Sequence, residues 1–140
     1  MNPLSSLIPP VAAIAMLIAS PVFAGAREDQ LARYATAAKA AVPGFTGFSA
    51  ARGKALHNQN FTTGKADTPA CNACHGKEPS GLGRTPAGKV IDAMAVSVTP
   101  ARYTDPAKVE KWFKRNCKEV IGRECSAQEK GDWLAYMVNQ

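Results

Sequence analysis

The sequence predicts an all-α fold of four or five helices joined by loops, with no convincing sheet. Three observations carry this. Apolar residues recur every three to four positions in separate blocks, the spacing of helices with one buried face. Two blocks open on helix-starting chemistry, Asp105-Pro106 and Ser126-Ala127-Gln128-Glu129. The stretches between blocks are rich in Gly, Pro and Thr and lack a two-residue alternation.

Taken in order, the first expected helix runs from Arg27 to Val42, with Leu31, Tyr34, Ala35, Ala38 and Val42 on one side and Pro43-Gly44 as its stop. Phe45 to Phe48 is a packed connector. Ser49 can cap a second helix, Ala50 to Gln59, in which Gly53 lowers propensity but lets another helix or a cofactor edge come close. His57 is followed by Asn58, Gln59 and Asn60, which places it at a solvated helix end. Phe61 to Ala70 and Gly76 to Gly88 read as loops, and Lys89 to Ser97 as a short helix in which Met94 packs with Val90, Ile91 and Val98.

The helix opened by Asp105 runs to about Cys117 and presents Val109, Trp112 and Phe113 on its apolar side. The next position on that side holds Asn116. A buried amide needs partners, and periodicity alone favours a helix-end asparagine bonding nearby backbone over a metal-ligating role. After a turn at Gly122, the last helix carries Trp133, Leu134, Tyr136, Met137 and Val138, with Gly131 small enough for a close crossing.

Cys71-Asn72-Ala73-Cys74-His75 organises the chain. Two thiols on one turn can each add to a vinyl group of one porphyrin, and the adjoining imidazole faces its iron, so the pattern reads as covalent attachment of one haem c. A thioredoxin-like pair would want a βαβ pattern around it, and a zinc site a second close pair; neither is present. The carbonyl of Pro86 or a neighbour is expected to take the Nδ1 proton of His75. Met94 is a candidate second ligand, because thioether ligation is common in electron-carrying cytochromes c. His57 and Met137 are weaker candidates.

Residues 1 to 26 carry no charged side chain, and the apolar run Val11 to Ile18 leads to Val22-Phe23-Ala24. This reads as a signal peptide over residues 1–24, with a single monohaem cytochrome c domain over 25–140, exported to the periplasm with no membrane insertion of the mature chain. Pro9, Pro10 and Pro21 leave the apolar piece short for a bilayer span. The net charge of +6 falls entirely on the expected mature part and suits an acidic redox partner. The interleaved aromatic and basic residues that single-stranded nucleic acid needs are missing, so no nucleic-acid partner is expected. Of four cysteines, Cys117 and Cys125 remain outside the haem motif, as a disulfide or as two buried thiols.

Cys71-Asn72-Ala73-Cys74-His75, Ala87-Gly88-Lys89, Arg102-Tyr103-Thr104-Asp105, Val109-Glu110-Lys111-Trp112-Phe113, Arg115-Asn116-Cys117 and Gly122-Arg123-Glu124-Cys125 together resemble the sphaeroides haem protein (SHP) family of high-spin, oxygen-binding cytochromes c. The likeness runs from about Phe45 to the C-terminus. The cytochromes c'' of methylotrophs are similar in layout but carry His where this chain has Asn116. The resemblance implies a class I cytochrome c-like fold with an extra N-terminal helix, His75 as proximal ligand, Asn116 as distal ligand in the ferric state, and a Cys117–Cys125 disulfide. It implies that the asparagine leaves on reduction and opens a site for O2, NO or CO, with Trp112 and Phe113 shaping an apolar distal pocket. A dihaem cytochrome c and a membrane cytochrome b are the implied electron partners. Slow reduction of oxygen or nitric oxide stays open, as does the alternative of a simple His75/Met94 electron carrier.

Overall fold

The computed structural model describes residues 22–140, with side chains from residue 25. The leader expected over 1–24 lies outside the described residues, apart from the backbone of 22–24. Helix α1 spans Val22–Ala41, α2 Ala50–Asn58, α3 Asn72–His75, α4 Pro106–Val120 and α5 Ala127–Val138. One small antiparallel pair, β1 (Gly83–Arg84) and β2 (Val90–Ile91), joins Gly83 to Ile91 and Arg84 to Val90.

Helix starts follow local chemistry. The Asp105 carboxylate accepts from the Lys108 amide with Pro106 in the first turn, and Ser49 accepts from the Arg52 amide. Ser126 and Glu129 form a complete capping box. α4 runs past its expected end at Cys117 to Val120, because Ile121 N–H still bonds the Cys117 carbonyl and closes another turn.

α5 is the central element, and α2 and α1 pack on it. Leu134 and Met137 are fully enclosed, and Met94, Trp133, Tyr136 and Met137 form one core cluster. Gly53 makes the α2–α5 crossing: a Cβ there would stand 2.0 Å from the Asp132 carbonyl oxygen. The Asp132 carboxylate takes two hydrogen bonds from the Arg52 guanidinium and one from the Ser49 amide, fixing the start of α2 on α5.

The extra N-terminal helix is held by polar side chains. Arg27, Gln30, Tyr34 and Ala38 are its buried residues, one helical turn apart. Arg27 donates to the carbonyls of Pro100 and Arg102, and Tyr34 donates to the Glu110 carboxylate.

The stretch Lys89–Ser97 is not a helix. After β2 it becomes an irregular strap whose Met94 and Ala95 amides bond the Pro79 carbonyl at 2.8 and 2.9 Å. Val90 and Val98, expected beside Met94 in the core, are 46% and 54% exposed. No helix among the described residues is long and apolar enough to cross a membrane.

Candidate functional site

The pentad forms the single turn α3, closed by His75 N–H to the Cys71 carbonyl at 3.1 Å. Three contacts grip it. Asn72 Nδ2 donates to Asn58 Oδ1 at the end of α2 (2.8 Å). His57 bonds the Gly76 carbonyl (2.7 Å). From β1, Gly83 presses so close that a Cβ would stand 2.2 Å from the Cys74 carbonyl oxygen.

A cavity of about 420 Å³ opens against this turn. Cys71, Cys74 and His75 line it, as do Trp112, Phe113 and Asn116 of α4. Apolar side chains supply much of the remaining wall, among them Ala70, Met94, Val109, Val120, Ile121 and Trp133. The structure thus brings the attachment motif and Asn116 to one cavity although they are far apart in sequence.

The chemistry of the donors fits haem c. Cys71 and Cys74 are free thiols on one turn beside the cavity. Burial pushes the Cys71 thiol up to about 11 and raises Cys74 as well, the reverse of the depressed thiol a redox-exchange pair requires. Burial above all, with the nearby Arg102 charge, lowers His75 to about 4, so the imidazole is neutral and keeps the lone pair a metal needs. His75 Nδ1 is buried with no hydrogen-bond partner among the described residues. Among those residues no three His, Cys, Asp or Glu side chains cluster to hold a bare metal ion, so a zinc centre is not assembled.

Several expectations need correction. Pro86 is exposed at the tip of the β1–β2 connection and does not accept from His75 Nδ1. His57 does not sit at a solvated helix end; it is 0% exposed. Trp133 Nε1–H donates to its Nδ1 (3.2 Å), so Nε2 carries the proton that goes to the Gly76 carbonyl. Both ring nitrogens are therefore engaged, and neither is free for a metal. Trp112 lines the cavity but is 44% exposed, so it is a rim residue and not a buried one. Met137 is enclosed in the core cluster away from the cavity lining.

Asn116 is half-buried on α4, and its amide makes no hydrogen bond among the described residues; the backbone contact open to a helix-end asparagine is not made. The following residue, Cys117, is bridged to Cys125 across a separation of eight residues, with Cα atoms 5.6 Å apart. Met94 reaches the same cavity, packed against Trp133, Tyr136 and Met137.

Sequence reasoning passed over Tyr103 and Trp133 as cavity residues. Tyr103 has a left-handed backbone (φ 63°), the one non-glycine residue described with positive φ. Its hydroxyl donates to the Met94 carbonyl (2.8 Å) and its ring meets Trp133 edge-on at 5.9 Å. No local pattern announces such a backbone; its neighbour Arg102 is itself anchored on the Ala93 and Asp92 carbonyls.

Residues 43–137 match the family described as a domain of unknown function, DUF1924. The cytochrome c-type protein SHP of Cereibacter sphaeroides is 43% identical over 91% of this chain and 95% of its own length. The chain belongs to the SHP family of c-type cytochromes. Cytochrome c'' of Methylophilus methylotrophus is 32% identical over 81% of this chain and 79% of its own. The solved structure of oxidised SHP, an oxygen-binding cytochrome c, matches with a TM-score of 0.76 and 44% identity over 81% of this chain and 96% of that one. Oxidised cytochrome c'' from Methylophilus methylotrophus matches with a TM-score of 0.72 and 31% identity over 83% and 95%. The fold is thus the class I-like cytochrome c fold of the SHP family, and the cofactor is one haem c.

Proposed function

We propose that this SHP-family cytochrome is an exported, periplasmic protein that accepts electrons and binds a small diatomic ligand, and that Asn116 would serve as a weak iron ligand in the ferric state, released on reduction. When bound, haem c would supply one-electron chemistry. Cys71 and Cys74 would hold the cofactor through thioether bonds, and His75 would offer it a neutral imidazole in both redox states. Asn116 offers an amide oxygen, a hard and neutral donor that suits ferric iron better than ferrous. Once free, the same side chain has an N–H to give to O2, NO or CO, and such donors help decide the fate of a bound gas. The Cys117–Cys125 bridge beside it limits how far the backbone of Asn116 shifts. Phe113, and Trp112 at the rim, give the pocket its apolar lining. Another cytochrome, of the dihaem c or membrane b kind, would supply the electron.

The observation that carries this reading is that Asn116, whose amide has no hydrogen-bond partner among the described residues, lines the same cavity as the attachment motif. The test is to reduce the holoprotein under argon, record its spectrum and add CO. A high-spin ferrous starting state with rapid CO binding supports the reading. A low-spin ferrous protein that ignores CO contradicts it.

That second outcome would favour a His75/Met94 electron carrier, because Met94 also lines the cavity. Against it, Met94 is packed among Trp133, Tyr136 and Met137, whose contacts its side chain would have to leave.

A further inference from the structure

One face of α4 is basic along its whole length and borders the cavity. At 3.6 residues per turn, Lys108, Lys111, Lys114, Arg115 and Lys118 fall together, on the side away from Val109, Phe113 and Cys117. All five are exposed. Arg115 pairs with Glu119 (3.2 Å) and Lys118 with Glu124 (3.5 Å), both at the surface. Lys108, Lys111 and Lys114 have no ion-pair partner among the described residues.

Where this face meets the cavity stands Trp112. It lines the cavity, is nearly half exposed, and carries the Arg115 guanidinium 5.6 Å from its ring centroid. Lys108 lines the cavity too. A single exposed apolar residue is ordinary. A tryptophan between a basic helix face and a cofactor cavity has the make-up of an interface anchor, an aromatic group beside a charged margin.

We propose that this face of α4 is the electron-entry docking surface and that its occupant is an acidic redox protein, seated over Trp112. The proposal rests on the reading of the chain as an electron-accepting cytochrome. Charge selects the partner: a carboxylate-rich surface is drawn to three unpaired ammonium groups and steered over roughly a Debye length, about 10 Å at 0.1 M salt. The lysines govern the rate of encounter, and Trp112 supplies unscreened contact at the centre. One electron passes from the reduced partner to the ferric protein, and the partner is oxidised by one electron. No bond forms or breaks on the face.

The test is stopped-flow reduction of the ferric holoprotein by reduced flavodoxin, an acidic one-electron donor, across a range of ionic strength. The wild-type rate should fall steeply as salt rises. Lys111→Glu with Lys114→Glu should slow reduction about tenfold or more at low salt, and the two proteins should converge at high salt. Trp112→Ala should stay slow at high salt. Lys39→Glu with Lys54→Glu makes the same charge change on α1 and α2 and should have a much smaller effect. Equal slowing by both lysine pairs, or no slowing by the α4 pair, overturns the proposal. So does loss of binding to phosphatidylglycerol vesicles in the α4 variant with flavodoxin kinetics unmoved, which would assign the face to a lipid surface. Lumiflavin semiquinone, small and uncharged, should reduce the wild type and both lysine-pair variants alike. If it fails to reduce the wild type, the electron-accepting reading falls and the surface with it. If it succeeds while flavodoxin ignores α4, the surface alone falls.

Discussion

His57 Nε2 stands 2.7 Å from the carbonyl oxygen of Gly76, the residue that follows His75 of the Cys71–His75 turn. The other ring nitrogen accepts from Trp133, which lines the haem cavity. One buried imidazole therefore couples α2, the cavity wall on α5 and the attachment turn. Burial lowers its proton affinity, so it works as a neutral donor and acceptor. His57→Leu should leave the Trp133 N–H and the Gly76 carbonyl unpaired and cost about 3 kcal/mol, while His57→Gln, which keeps one donor and one acceptor, should recover part of it. Urea unfolding of the three holoproteins measures this. An unchanged midpoint in His57→Leu would show the bonds to be dispensable.

Gly53 sets the distance between α2 and α5. Gly53→Ala brings a methyl group to 2.0 Å from the Asp132 carbonyl oxygen and 2.8 Å from the Tyr136 Cβ. Neither α5 backbone nor a Cβ can swing aside, so the helices must separate, at a cost of about 3 kcal/mol. The expected result is a lower urea midpoint with the haem still attached.

Glu110 ties the N-terminal helix to the rest. Burial alone would raise its proton affinity, but the Lys130 ammonium at 2.7 Å and the Tyr34 hydroxyl together hold its carboxyl below its ordinary value of 4.5. A carboxyl depressed in the fold contributes stability above that value and loses it as pH falls through the folded-state pKa. Half of Glu110 faces solvent, so its replacement is modest. Glu110→Gln should cost about 1 kcal/mol at pH 7. The difference from wild type should shrink below about pH 4. A pH-independent difference in unfolding midpoint would remove the charge from the explanation.

The Cys117–Cys125 bridge closes a short loop. From its separation of eight residues, loop-closure entropy gives about 2.5 kcal/mol of stabilisation. Replacing both cysteines with serine should lower the unfolding midpoint accordingly and leave the haem bonded to Cys71 and Cys74, which mass spectrometry under denaturing conditions reads directly.

Local chemistry was legible in this sequence, and long-range partnership was not. The Asp105 and Ser126 helix starts and the Cys71–His75 turn are written within a few residues, and each forms where its residues stand. Lys89–Ser97 has helical composition, yet the Met94 and Ala95 amides are claimed by Pro79, which no local window contains. His57 looked solvated because Asn58, Gln59 and Asn60 follow it; its partners come from α5 and from the attachment turn. α1 hides its inward side because Arg27 and Gln30 are buried beside Tyr34. The helical period of α4 aligned Asn116 with Phe113, and both reach the cavity, but it could not tell that Trp112 would stand at the rim.

The central claim is that the Asn116 amide is a ferric-state ligand opened by reduction. The most direct measurement is the ferric visible and electron paramagnetic resonance spectrum of Asn116→Ala beside the wild type. Intact folding and haem attachment with loss of the low-spin ferric component is the expected result. An unchanged ferric spectrum would contradict it and leave Asn116 as an ordinary lining residue.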